Sequence, residues 1–366
     1  MPGIAHPLST YRNAAALAVA VSALSLLAGC STLRDHGPVS AGPAAAPPGA
    51  APLSPQVLAA EDTLSKMVSL QAKLYKVASP LLINNTELCK NQARNLLGFT
   101  AQNKYSYPGE FADAAQAALG YGERLEVSSV LAGSGAARAG LRKGDGLLAA
   151  DGRQLPGGPN AEAAAAGVFG PLVASHASLN LLIRRDGDSR TLSVPVTRAC
   201  AFRVDLGNSD NVNSYADGQH ILVTRGMINF AQNDEAIAYV VAKDMAHNIL
   251  GHAAAQRSTA TIGSMIDNLK SVQPDLSMLI GSGGIKPMPQ EMDAAADSLS
   301  LYLLARAGYN IDHAARFWQR LAAQYPPTVL NGYTANHPAT AYRVAAINKT
   351  AAEIRARQAA KKPLLP

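Results

Sequence analysis

The chain has 366 residues, of which 48% are hydrophobic and 16% charged, with a formal net charge of +6. That length and apolar content suit more than one folded domain. A thin positive balance with only 5% aromatic residues lacks the basic, aromatic-interleaved stripe of a nucleic-acid groove, so no nucleic-acid partner is expected.

Arg12 precedes an apolar run from Ala14 to Leu27, too short for a spanning helix, and the run ends in Leu27-Ala28-Gly29-Cys30. The tetrapeptide resembles a bacterial lipobox, which implies removal of residues 1–29 as a lipoprotein signal peptide and lipidation of Cys30. Ser31 at the next position favours the outer membrane, facing the periplasm. The chain is therefore expected in the cell envelope, held to the membrane by its lipid. Residues 30–56 are rich in Pro, Ala and Gly, cannot bury a core, and read as a tether.

In residues 57–90, Leu64, Met67, Val68, Leu70, Leu74 and Val77 recur at helical spacing, predicting a helix that packs on the body to follow. With Cys30 assigned to lipid, Cys89 and Cys200 remain as an even pair in an oxidising compartment, and a disulfide is expected rather than two unrelated thiols.

Residues 91–198 carry strands, turns and a Gly-Ser-Gly-Ala-Ala-Arg-Ala-Gly-Leu stretch from 133 to 141, then Lys143-Gly144-Asp145 and an apolar strand ending at Asp151-Gly152. Two more strands flank Asp186-Gly187-Asp188. This arrangement resembles a PDZ domain. In that resemblance Gly98 and Phe99 fall where PDZ domains hold a peptide's C-terminal carboxylate, which implies envelope proteins or peptides as partners.

Beyond Cys200, Asn211–Ala216 and His220–Thr224 flank Asp217-Gly218 and read as a hairpin. The stretch Asn233–Arg257 then reads as one long buried helix, with Asn233 as N-cap and a narrow polar strip of Lys243, Asp244 and His247. Lys243-Asp244-x-x-His247, followed by Asn248, Gly251 and His252, resembles the HExxH helix of the HtpX and CAAX-prenyl-protease type zinc metallopeptidases. Glu291-Met292-Asp293, with Asp297 and Tyr302 further on, resembles the family's later helix, and Asn336-His337-Pro338 with Arg343 its closing segment.

The resemblance implies a zincin-like domain over residues 199–355, a tail over 356–366, and an α+β fold in which a mainly helical body carries a small edge sheet beside the β-rich PDZ-like unit. It places His247 and Asp293 at metal-ligand positions, Asp244 at the general-base position, and Asp297, His252 and His337 around them. Lys243 stands where the first zinc ligand belongs, Asp244 and Asp293 are each one methylene shorter than glutamate, and an ammonium is no ligand until it loses its proton. Zinc is the implied cofactor, and Lys243 argues against its binding. The expected substitute is a buried salt bridge from Lys243 to Asp244 or Asp293. Two functional classes follow: a protease-derived scaffold holding envelope proteins with its proteolysis impaired, or an active zinc metalloendopeptidase completed by His252 or His337.

Overall fold

The computed structural model describes residues 54–253, 259–280, 286–329 and 331–366. The signal segment, Cys30 and the tether up to residue 53 lie outside the described residues.

Helix α1 (Pro55–Asn84) starts where Ser54 Oγ accepts the Val57 N–H and proline occupies the first helical position. It begins two residues before the periodicity suggested and runs on through Pro80. Its lower half buries Leu74, Val77 and Leu81 in the C-terminal core. Its upper half packs Ala60 and Leu64 on Tyr107, Phe111 and Tyr121. The short helix α2 (Thr86–Cys89) follows, then strand β1 (Ala93–Leu96), which pairs antiparallel with β8 (Thr197–Cys200), Ala93 opposite Cys200. Cys89 and Cys200 form the expected disulfide at this junction.

Everything between β1 and β8 is one loop-out of the C-terminal body. A sheet runs in the order β2 (Phe99–Gln102), β3 (Glu126–Val130), β4 (Gly146–Ala150), β6 (Ser178–Arg185), β7 (Asp188–Pro195), with β5 (Arg153–Gln154) on β4. Helices α3 (Glu110–Leu119), α4 (Gly135–Arg138) and α5 (Ala161–Ser175) connect the strands. Val127, Leu147, Leu181 and Ile183 meet Phe169 and Leu172 of α5 in a separate core. The β6–β7 turn has positive φ at both Asp186 and Gly187, matching the twist of a two-residue hairpin.

In the C-terminal body, β10 (Ser214–Ala216) and β11 (His220–Thr224) form the expected hairpin. Strand β9 (Arg203–Gly207) joins it parallel to β11, giving the order β10-β11-β9. Helices α6 (Arg225–Ala231), α7 (Asp234–Leu250), α8 (Thr259–Leu269), α9 (Ser277–Ile280), α10 (Gln290–Arg306), α11 (Ala314–Gln324), α12 (Tyr333–Asn336) and α13 (Ala341–Ala359) complete it. Helix α7 is buried along almost its whole length, between α1, α10 and the small sheet. The predicted run to residue 257 is interrupted: Gly251, at φ 72°, closes α7 with a left-handed cap on the carbonyls of His247 and Asn248. The chain is thus a mixed α and β protein.

The disulfide spans a sequence separation of 111 residues, so in the chain-entropy picture it removes about 4 to 5 kcal/mol from the unfolded state, an upper-end figure. The double variant Cys89→Ser, Cys200→Ser is expected to lose up to that much, seen as a lower urea midpoint with a steeper slope, because the unlinked unfolded chain exposes more surface. An unchanged midpoint would show that the junction needs no covalent clamp.

Candidate functional site

Helix α7 is the spine of the site. Asn233 Oδ1 accepts the Ala236 N–H at its start, and Asp234 and Glu235 lie at the positive end of the helix dipole. Three charged or titratable side chains, Lys243, Asp244 and His247, are buried with its apolar ones. Lys243 is fully buried, and its Nζ lies 2.6 Å from Asp297 Oδ1 and 3.1 Å from Asp293 Oδ1, both on α10. Its ammonium also sits 5.4 Å from the centre of the Trp318 ring, a cation–π distance. From α13, Arg343 Nε donates to Asp297 Oδ2 (2.7 Å), while its Nη1 donates to the carbonyls of His337 (2.9 Å) and Pro338 (2.8 Å).

Two buried cations therefore face two buried carboxylates. The expected pairing of Lys243 with Asp293 is present, but its shorter contact is to Asp297, one helical turn further along the same face of α10. Asp244 takes no part in an ion pair among the described residues. It neighbours Lys243 in sequence and so points about 100° away round the helix.

The histidines close the other side. His337 Nδ1 lies 2.8 Å and His247 Nε2 3.3 Å from Asp293 Oδ1. His247 Nδ1 lies 3.1 Å from His252 Nδ1, so one of the two rings donates to the other. On a continuous helix His252 would stand about 140° from His247; the left-handed Gly251 turns the chain back and makes the contact. One ligand atom from each of His247, Asp293 and His337 can be chosen with all three within 4.8 Å of one another. His337 thus joins the cluster itself rather than standing behind it. Tyr333 stacks between Trp318 and His337, at 5.2 Å and 4.6 Å between ring centres.

Burial pushes the His247 imidazole down to about 3, against the pull of Asp293, and also lowers His252 and His337. Burial pushes the Asp244 carboxyl up to about 7, with Asp293 adding to it and Ser214 and Lys243 opposing. For Asp293 and Asp297 burial is the largest single influence and acts upward too, but Lys243 combined with the His337 and His247 rings at Asp293, and with Arg343 at Asp297, overcomes it, and both carboxyls are held below their usual range.

The donor set of two imidazole nitrogens and a carboxylate is one that zinc accepts, and the contacts at Asp293 Oδ1 are near the edge of about 3.4 Å of a zinc tetrahedron. Asp244 Oδ2 is buried without a hydrogen-bond partner among the described residues, and Asp244, His247 and His337 line a cavity of about 10 Å³ that has room for about one water. Charge decides against the metal. Lys243 and Arg343 already balance Asp293 and Asp297, and a zinc ion on Asp293 would add two charges beside the Lys243 ammonium. The residues present do not fit a resident zinc ion while Lys243 keeps its proton.

Gly98 and Phe99 are not part of this cluster. Gly98, at φ 77°, packs so closely on Ser134 that a Cβ would lie 2.6 Å from the serine's own. Phe99 opens β2 and meets Phe169 edge to face. The sequence reading missed Ser214, Met288 and Tyr333 at the cleft; only Tyr333 left a signal, four residues before His337.

Linkage gives the pH dependence. Three imidazoles with lowered values take up protons on unfolding below about pH 6.5, each contributing up to about 1.4 kcal/mol per pH unit of lost stability. Asp244, with its raised value, acts in the opposite sense between about pH 4 and 7 and offsets one of them. Stability measured by urea unfolding should therefore fall as pH drops from 7 to 5, and His252→Gln should shallow that fall. A flat profile over this window would contradict the burial of neutral rings.

Residues 188–351 match peptidase family M48. The mitochondrial metalloendopeptidase OMA1 of Schizosaccharomyces pombe is 25% identical over 138 residues, covering 36% of this chain and 41% of that protein. The same-named protein of Saccharomyces cerevisiae is 23% identical over 142 residues, again 36% and 41%. The chain thus spans about two fifths of the length of these curated relatives. Together with a polar strip on α7 facing a carboxylate pair on α10, the match marks residues 188–351 as a domain of the type found in peptidase family M48, a family of zinc-dependent metallopeptidases.

Proposed function

We propose that this chain is a lipid-anchored envelope protein that holds extended or unfolded envelope polypeptides without cutting them. The observation that carries this reading is the Lys243 ammonium, wholly buried and within 3.1 Å of Asp293. It supplies the positive charge that a metal ion supplies in a zinc peptidase, but neither polarises a carbonyl nor generates a hydroxide. Asp244, with its carboxyl pushed up to about 7, is also only partly ionised near neutral pH. The holding function falls to the cleft and to the sheet body read as PDZ-like. There, edge strand β2 runs beside α5, with half-buried Leu97, Phe99, Ala101 and Val168 suited to an apolar C-terminal side chain.

Purified natural protein is expected to contain far less than one zinc per chain by elemental analysis and to leave casein intact. The triple variant Lys243→His, Asp244→Glu, Asp293→Glu removes the ammonium, restores a neutral nitrogen ligand and lengthens both acids. It should take up about one zinc per chain and gain measurable caseinolysis. One specific observation favours the family's own activity instead: the convergence of His247, Asp293 and His337. Stoichiometric zinc in the natural chain, lost together with casein cleavage on His247→Ala, would establish that reading and end the first.

The PDZ-like unit, residues 91–198, carries its own core separate from that of the C-terminal body. Expressed alone it should unfold cooperatively and bind peptides with a free C-terminal carboxylate more tightly than amidated ones. Equal affinity for both forms would remove the carboxylate-binding role from Gly98 and Phe99.

A further inference from the structure

The floor of the α7–α10 cleft is strongly polar, yet its mouth is apolar and shut. Met288 and Ile262 line the cavity together with Asp244, His247 and Ser214, and they are only 4% and 2% exposed. The remaining space of about 10 Å³ takes about one water, far short of a polypeptide segment. Both covering residues belong to the stretch of chain between α7 and α10. Helix α8 of that stretch lays Ile262, Met265 and Ile266 on Tyr215 and Leu222 of the β10–β11 hairpin. Residues 286–289, Lys-Pro-Met-Pro, place Met288 in the cavity lining and lead into α10.

The anchorage of this strap is slight but well placed. The Met288 N–H donates to the Asn336 carbonyl at 2.7 Å, next to His337, and the Pro289 carbonyl accepts the Asp293 N–H at 3.0 Å. Prolines at 287 and 289 have no N–H to donate and hold the residues before them extended. The strap is thus stiff, and its central residue is fastened by one backbone hydrogen bond and one inserted side chain. Its two ends of attachment are the segments that carry Asp293 and His337.

We infer that residues 286–289 form an autoinhibitory lid: Met288 occupies the mouth of the Asp244–His247 cleft, and the cleft becomes accessible only when the strap lifts from Asn336. This deepens the reading of the cleft as a client site and rests on it for its purpose, while its test reads access alone.

The test uses diethyl pyrocarbonate on the full chain, with residue-resolved mass spectrometry of His247, His252 and His337. The exposed His176 and His313 serve as internal standards. In the natural protein the three cleft histidines should react far more slowly than the standards. In Met288→Gly their rates should rise about tenfold, the scale of population shift expected from losing one buried side chain. The standards should stay unchanged. Met288→Gln, which keeps the side-chain length but disfavours insertion, should raise the same rates and decides the matter if Met288→Gly loses its cooperative unfolding. Cleft rates that stay unchanged in folded Met288→Gln, or that already equal the standards in the natural protein, would overturn the lid. Binding of reduced, carboxymethylated lactalbumin, measured in parallel, separates the two claims. If the rates respond but nothing binds, the lid stands and the client reading falls.

Discussion

A single ammonium group between two carboxylates organises the C-terminal body. Lys243 reaches from α7 to Asp293 and Asp297 on α10, and Arg343 reaches to the same Asp297 from α13. Each of these ions gave up its hydration to be buried, a cost of several kcal/mol that is recovered only while its partners stay in contact. Three helices are therefore fixed in position, because withdrawing any one leaves an unpaired charge in an apolar surround. Arg343 extends the constraint to the His337 and Pro338 carbonyls, and so sets the place of the segment on which His337 and Tyr333 stand.

The shape of the site is that of a cation centre, and the cation is a side chain. An ammonium resembles a metal ion in its charge and its liking for carboxylate oxygen, but it has no empty orbital, so it neutralises Asp293 without activating anything held beside it. The lowered imidazoles follow first from burial, and the Lys243 charge beside them acts in the same direction against the pull of Asp293. Asp244 is left on the cleft side with a Ser214 hydroxyl near it and no cation of its own, which is why burial dominates its titration.

Much of this arrangement could be read from local rules. The caps at Ser54 and Asn233, the Asp-Gly turns, the even cysteine pair and the helix face shared by Lys243 and His247 all depend on residues close in sequence or on counting. What escaped was set by tertiary geometry. Strand β9 has no local mark that would place it parallel to β11. The choice of Asp297 over Asp244 as the main partner of Lys243 depends on how α10 lies across α7. His252 meets His247 only because Gly251, with its positive φ, stops the helix and turns the chain back. Met288 lay in a stretch with no periodicity, and only the closed cleft shows what it covers.

The two cores make the division of labour physical. The sheet body buries its own apolar set around Phe169, and the C-terminal body buries another around α7, joined through the β1–β8 ribbon, the disulfide and the two halves of α1. Neither core draws on the polar cluster for its hydrophobic stabilisation, so the fold can keep its shape whichever cation occupies the cleft. What the cation does decide is how the Asp293 and Asp297 oxygens are engaged: Lys243 takes up Oδ1 of both. Because an ammonium and a metal ion hold those carboxylates at different reach, exchanging one for the other alters chemistry first and architecture hardly at all. On the holding function proposed above, the body keeps a formed, covered cleft whichever cation stands in it.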